Sequence, residues 1–179
     1  MNNKKTLWIT TTAIFIAMLI GVQVVTAPFS QFVTGPLVNL ILIISVMTLG
    51  LASGMAVAVV SPVVAGFIGV GPVWAVVPFI ILGNATLVII WYLICKMRFA
   101  RTFAVRVTAL AVAAICKFLV LYFGVVQIAI PYILHLPEQQ AERMSALFSL
   151  SQLLTALIGG AVAIVILPVI EKARASKTL

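Results

Sequence analysis

The chain has 179 residues, of which 64% are hydrophobic and 8% charged, with a mean hydropathy of +1.32. Soluble domains hold about 45–50% apolar and about 25% charged residues, and disordered chains are poorer still in apolar residues. The composition therefore excludes both classes and indicates a protein that lies in a lipid bilayer.

Apolar runs long enough to cross a bilayer recur six times along the chain. A membrane helix needs about 20 such residues to cross about 30 Å of hydrocarbon. The second run is short, and the last two are long enough that they must tilt or project beyond the bilayer. We expect an all-α integral membrane protein, a compact six-helix bundle forming one domain over residues 1–179, with spans at about 7–25, 36–49, 53–68, 76–95, 103–130 and 142–170.

The net charge of +8 arises from eleven basic and three acidic residues. Basic residues accumulate on the cytoplasmic side of membrane proteins, and an even number of spans places both termini on one side. Arg143 lies on the opposite side and Lys117 lies within a span. The charge therefore predicts cytoplasmic termini and no nucleic-acid partner, because nine of the eleven basic residues fall on the cytoplasmic side: Lys4, Lys5, Lys96, Arg98, Arg101, Arg106, Lys172, Arg174 and Lys177.

Reactive side chains are scarce. The chain has no aspartate, three glutamates and one histidine, namely Glu138, Glu142, Glu171 and His135. Acid–base pairs, metal sites and Ser-His-Asp triads need several such groups in one place, and the sequence has no GxxxxGK[ST] phosphate loop for ATP hydrolysis. We therefore expect no enzyme, no metal site and no cofactor. If the chain is a transporter, we expect its energy to come from other subunits.

Small residues four positions apart recur in the predicted spans. In the first span they are Ala13, Ala17 and Gly21. The same spacing recurs in the fifth and sixth spans, at Ala109 with Ala113 and at Ala156 with Gly160. Such a ridge lets another helix approach closely, either within the bundle or on a partner, and periodicity alone does not decide between the two.

The connection between the first two spans, residues 26–36, carries aromatic and amide side chains but no charge. Phe29, Gln31 and Phe32 lie in it, on the side away from the predicted cytoplasmic face. It either folds over a cavity as a lid or forms an interfacial turn anchored by its aromatic residues.

Lys117 is the basic residue that membrane orientation does not explain. It lies about 14 residues into the fifth span, roughly 20 Å from the cytoplasmic surface. A charge at that depth is costly and tends to face a cavity or a partner. The alternative is that Lys117 snorkels or bonds to backbone carbonyls. We favour contact with an anionic or strongly polar ligand group.

Uncharged polar residues are predicted at the same outer depth as Lys117. Asn84 lies in the fourth span, Gln127 in the fifth, and Ser149 and Gln152 in the sixth. A few fixed polar groups in a mostly apolar pocket orient a solute, although each residue singly is also typical of interhelical hydrogen bonding. We take these four residues and Lys117 as candidate ligand-binding residues.

Three stretches carry a family resemblance: Ala13-Ile14-Phe15-Ile16-Ala17, Thr34-Gly35-Pro36-Leu37-Val38-Asn39 and Leu82-Gly83-Asn84-Ala85. Together with the chain length and six predicted spans, they resemble the S component of energy-coupling factor (ECF) vitamin transporters. The resemblance covers nearly the whole chain. The AxxxA pattern of Ala13 and Ala17 is its most diagnostic motif.

The resemblance implies a high-affinity substrate-binding subunit of an ATP-driven importer in the bacterial plasma membrane. In the family, the AxxxA ridge docks on a transmembrane coupling subunit, which two cytoplasmic ATPases drive, so Ala13 and Ala17 become the docking surface and Gly21 extends it. The family binds its vitamin from outside, below the connection between helices one and two. Asn84, Lys117 and Gln152 become candidate ligand contacts by position.

The substrate and one other class of function stay open at this point. Lys117 suits a carboxylate, a phosphate or a polar carbonyl, as in pantothenate, niacin or a pyridoxine-like compound. The short, uncharged outer loops instead suit a large, partly enclosed ligand such as cobalamin. The alternative function is a self-contained channel or facilitator, or an accessory subunit, which ATP-independent transport by the chain alone would indicate.

Overall fold

The computed structural model describes residues 3–71, 73–96 and 102–175. These residues form helices and no strand. Seven are α-helices: α1 Asn3–Thr26, α2 Gln31–Leu49, α3 Leu51–Ile68, α4 Val77–Lys96, α5 Phe103–Leu121, α6 Glu138–Phe148 and α7 Leu150–Ala175. A short 3-10 turn, Trp74–Val76, precedes α4, and a π-helical segment, Tyr122–Leu134, follows α5. They make up six spans long and apolar enough to cross a membrane. The predicted all-α, six-span class is confirmed.

The helix ends differ from the predicted span ends in three places. α2 begins at Gln31, so Pro36 lies in its second turn and costs it one backbone hydrogen bond. The fifth span continues through the π-helical segment until His135, whose left-handed backbone (φ 45°) ends it. The sixth span is two helices, α6 and α7, separated by the non-helical backbone of Ser149.

The spans close into a ring, in the order α1, α3, α4, α5, α7 and α2, and α2 also packs against α3 and α4. We call the end at which α1 leads into α2 the outer end, and the opposite end the inner end. The main core includes the fully buried Leu42, Val57, Leu87 and Trp91. A smaller cluster around Val76, Leu121, Val125 and Phe148 lies towards the outer end.

The small-residue ridges of the fifth and sixth spans are used inside the bundle. Ala109, Ala113 and Ala156 have no exposed surface. A Cβ atom at Gly160 would overlap the Leu110 side chain. Close approach between neighbouring helices is therefore the role of both ridges.

The ridge of α1 is different. Ala13, Ala17 and Gly21 are all exposed, and a Cβ atom at Gly21 would meet nothing within 4 Å. Of the three ridges, this is the one that the bundle leaves uncovered.

An ion pair joins α5 to α7 at the inner end. Arg106 Nη2 donates to both carboxylate oxygens of Glu171, at 2.9 and 2.8 Å. The Arg106 side chain is 7% exposed and the Glu171 side chain 50%. Arg106, which we counted as an orientation signal, is thus also a link within the bundle. Three further residues counted for orientation, Arg98, Arg101 and Lys177, lie outside the described residues.

Candidate functional site

A partly enclosed cavity of about 300 Å³ lies beneath the α1–α2 connection. Each of the six spans contributes to its wall, so the cavity belongs to the bundle as a whole. Its main polar lining residues are Gln23, Gln31, Thr34, Asn39, Asn84, Lys117 and Gln152, and its apolar lining includes Val38, Pro62, Ala65, Ile80, Leu121 and Phe148.

Lys117 is the centre of a buried polar cluster in this cavity. Its Nζ donates to Asn39 Oδ1 at 2.6 Å and to Asn84 Oδ1 at 2.8 Å. The three residues are 3%, 1% and 3% exposed, respectively, and they come from α5, α2 and α4. Because Lys117 is buried and bonded to side-chain amides, the snorkelling alternative does not describe this structure.

The cluster lies well inside the bundle. Asn39 and Asn84 are eight and seven residues from the outer starts of their helices, Gln31 and Val77, or roughly 10–12 Å at the α-helical rise. An ammonium has three N–H donors, and the described residues provide acceptors for two of them. One Lys117 N–H therefore remains for a ligand.

None of the three glutamates balances the charge of Lys117. Glu171 is bonded to Arg106 at the inner end, and Glu138 and Glu142 are exposed on α6. The acceptors that hold Lys117 are neutral amide oxygens. An ammonium buried among neutral groups leaves a positive potential in the cavity, which attracts an anionic or strongly polar group.

Gln152 adds a second polar point to the cavity wall. It is 5% exposed, and its Nε2 donates to the Leu147 carbonyl at 2.9 Å. This bond spans the break at Ser149, between α6 and α7. It fixes the Gln152 amide and leaves the amide oxygen as an acceptor.

The α1–α2 connection is held across the top of the cavity by threonines. Thr34 Oγ1 donates to Thr26 Oγ1 at 2.8 Å, and Thr26 Oγ1 donates to the Val22 carbonyl at 2.7 Å. The connection itself is only residues 27–30, because Gln31 already belongs to α2. Its position is therefore fixed by both helices.

Two of the three residues predicted for the lid line the cavity, and the third does not. Phe29 and Gln31 line the cavity. Phe32 is 53% exposed and is not part of the cavity lining. Phe29 is thus the aromatic residue of the connection that a ligand would meet.

Three of the five predicted ligand-binding residues line the cavity, and two do not. Asn84, Lys117 and Gln152 line the cavity. Gln127 is exposed and donates to the Tyr122 hydroxyl at 3.0 Å, and Ser149 faces a shallow groove beside α6. The predicted depths were similar, but the directions differ. π-helical winding turns Gln127 to another face than an α-helix would, and Ser149 lies in the break between α6 and α7.

Two cavity residues were not among the predicted ligand contacts. Asn39 appeared only within the family-like stretch of the second span, although an amide inside an apolar span is the same signal that singled out Asn84. Gln23 lies three residues before the end of α1 and carries an amide oxygen, Oε1, that is buried without a hydrogen-bond partner. That signal could have identified Asn39 from the sequence, whereas Gln23 is identified as a site residue only from the packing of the helices.

A six-span membrane bundle with a buried polar cavity and no cluster of metal-ligating side chains among the described residues has the features of a solute-binding transport protein. The family model for ECF transporter, substrate-specific component, matches residues 9–171. The chain therefore belongs to this family, as the sequence resemblance indicated. Comparison with curated proteins and with solved structures found no match. The chain is accordingly a substrate-binding transport subunit of an ECF transporter, a class that works with an ECF module of a transmembrane component and ATPases.

Proposed function

We propose that this chain captures a small water-soluble vitamin, or a related micronutrient, for an ECF importer in the bacterial plasma membrane. The observation that carries the proposal is the Lys117–Asn39–Asn84 cluster inside the cavity. Asn84, Lys117 and Gln152, with Asn39 and Gln23, would contact the ligand, and Phe29 would cover it. We do not include Gln127 and Ser149, because neither lines the cavity.

The volume of the cavity supports the smaller of the substrates that the sequence left open. About 300 Å³ lies at the low end of ligand pockets. Pantothenate, niacin-like and pyridoxine-like compounds are of this order of size. Cobalamin is several times larger, and the cavity would enclose only part of it, so we propose the smaller compounds first.

The docking proposal rests on the exposed ridge of α1. Ala13, Ala17 and Gly21 form a strip without large side chains, on which a helix of the coupling subunit can pack closely. The two ATPases of the module would then act through that subunit. In this arrangement both termini are cytoplasmic, and the cavity beneath the α1–α2 connection receives its ligand from outside.

The binding site is tested by calorimetry on the purified protein with pantothenate, nicotinate, pyridoxine and cobalamin. A hydrogen bond to a charged group contributes about 1.5–3 kcal/mol, and about 1.4 kcal/mol is a tenfold change in affinity. We expect Lys117→Gln to weaken the bound vitamin roughly 10- to 100-fold. Ser149→Ala is the matched control outside the cavity. An unchanged affinity of the Lys117 variant would reject this site.

The docking surface is tested by the double substitution Ala13→Leu and Ala17→Leu. We expect it to abolish uptake into vesicles that contain the complete module, and to leave vitamin binding unchanged. Ala111→Leu is the control, because Ala111 is an exposed alanine on α5. Full uptake by the double variant would contradict the docking proposal. Uptake by the chain alone, without ATP, would instead favour the channel alternative.

A further inference from the structure

We infer that the ligand has two polar ends: an anionic group bound by Lys117, Asn39 and Asn84, and a hydroxyl or amide that pairs with the side chain of Gln23. The two ends are joined by an apolar middle. This inference rests on the proposed function, since it describes the molecule that the same cavity takes up. It goes further in naming the chemical class, a small carboxylate or phosphate with a distant hydrogen-bonding group.

The Lys117 end offers several hydrogen-bond donors. The amide oxygens of Asn39 and Asn84 both accept from Lys117 Nζ, so each amide presents its NH2 group elsewhere. Within the described residues, neither NH2 group has an acceptor. The cluster therefore has three donor groups for a ligand: two amide NH2 groups and the third N–H of the ammonium. A carboxylate or phosphate accepts several such bonds at once, and it also supplies the missing counter-charge.

The Gln23 end lies on a different helix from the Lys117 cluster. Gln23 is on α1, whereas α2, α4 and α5 carry the cluster, and of these α2 packs on α1. The Thr26–Thr34 hydrogen bond places those two residues at one depth. Counted inward from them at the α-helical rise, Gln23 lies about 4.5 Å deep and Asn39 about 7.5 Å. The two polar ends therefore belong to different helices and differ by about 3 Å in depth.

Gln23 has an unmet hydrogen-bonding requirement. Gln23 lines the cavity, but its Oε1 is buried and has no partner among the described residues. Leaving a buried polar atom unpaired is unfavourable, so a rotation of the side chain that pairs this oxygen with a ligand group would be favoured. A carboxamide both donates and accepts, so a hydroxyl or an amide of the ligand can pair with it in either sense. An alkyl group or an unsubstituted aromatic edge cannot form these hydrogen bonds with the Gln23 carboxamide.

Much of the remaining cavity lining is apolar and includes Val38, Ile80, Leu121 and Phe148. A round cavity of this volume would be roughly 8 Å across. A short alkyl or ring portion fills that distance, which places one polar group at each wall.

The first arm of the test compares ligands that differ only in charge. Pantothenate and panthenol have the same chain, but panthenol carries a hydroxymethyl group in place of the carboxylate. Nicotinate and nicotinamide are a second such pair. We expect each anion to bind the purified full-length protein at least tenfold more tightly than its neutral partner. Pantothenate, which also has hydroxyl and amide groups, should bind more tightly than nicotinate.

The second arm separates the two ends by mutation. Gln23→Leu should weaken pantothenate about tenfold and leave nicotinate unchanged, whereas Lys117→Gln should weaken both anions. Thermal unfolding of each variant without ligand establishes that it is folded. If Gln23→Leu does not fold, Gln23→Met serves in its place.

The outcomes that overturn this inference differ from those that overturn the proposed function. Equal binding of an anion and its neutral partner, or equal weakening of pantothenate and nicotinate by the Gln23 variant, would disprove the two-ended ligand and leave a vitamin-binding subunit. Absence of binding by every anion tested would also disprove it. Failure of the complete module to import any water-soluble micronutrient would disprove the proposed function itself.

Discussion

Gly159 of α7 packs closely against α2, next to Asn39 of the cavity. A Cβ atom at this position of α7 would overlap the Pro36 carbonyl oxygen and lie 3.0 Å from Asn39 Cβ. The first contact is backbone, so no flexible side chain can move aside. In Gly159→Ala, α2 and α7 must therefore separate, and we expect the overpacking to cost about 1–3 kcal/mol.

The separation would also reach the ligand site. Asn39 lies on α2, and its 2.6 Å bond to Lys117 would lengthen as α2 moves away. For a domain of this size, about 1 kcal/mol corresponds to roughly 2–4 °C in Tm. We expect Gly159→Ala to lower Tm by about 2–12 °C and to weaken vitamin binding several-fold, as measured by thermal unfolding and calorimetry on the same preparation.

Gly21→Ala is the matched control for this experiment. Gly21 is also a helical glycine, but it is exposed, and an added Cβ atom would have no neighbour within 4 Å. We expect its Tm and its affinity to stay within error of the native protein. A Gly159→Ala variant that unfolds and binds like the native protein would refute the argument that α2 and α7 are in closest contact here.

Three further predictions concern the inner end, the connection above the cavity and the topology. Glu171→Gln should destabilise the protein by about 1–2 kcal/mol, because it leaves Arg106 buried without its counter-charge, and half-exposure of Glu171 limits the effect. Lys172→Gln, at an exposed neighbour, should leave the stability unchanged. Equal denaturation curves for the two variants would contradict this role of the ion pair. Phe29→Ala should weaken vitamin binding several-fold in calorimetry and Phe32→Ala should not, so equal losses would disprove the covering role of Phe29. In a cysteine-free variant, a single cysteine in the α1–α2 connection should react with a membrane-impermeant maleimide added outside intact cells, and one at position 172 should not; the reverse pattern would invert the topology.

The fold class could be predicted because lipid imposes a simple length rule on apolar runs. The rule does not locate helix ends. The predicted second span begins at Pro36, whereas α2 begins at Gln31 and contains Pro36 in its second turn. The break at Ser149 was also hidden, because nothing in its neighbouring residues prevents a continuous helix.

The level of the candidate site along the bundle could be predicted, and the direction of each side chain around its helix could not. Counting residues placed Lys117, Asn84 and Gln152 at a common depth, and all three line the cavity. The same counting included Gln127, but the π-helical segment alters the angular progression beyond Leu121. Which ridge of small residues is exposed likewise depends on how the helices pack, and the residue pattern of one helix does not reveal that packing.

The hydrogen bonds that hold Lys117 have a consequence for how fast the ligand leaves. Asn39 and Asn84 fix the Lys117 side chain when the cavity is empty, so binding need not pay again the rotamer entropy of a lysine, about 1.5–2 kcal/mol. A preorganised site gains affinity mainly through slow dissociation. Because α2, α4 and α5 each supply one of the three residues, a small relative shift of any one of these helices dismantles the site. In the proposed importer, fast release of the ligand would therefore require these helices to move relative to one another.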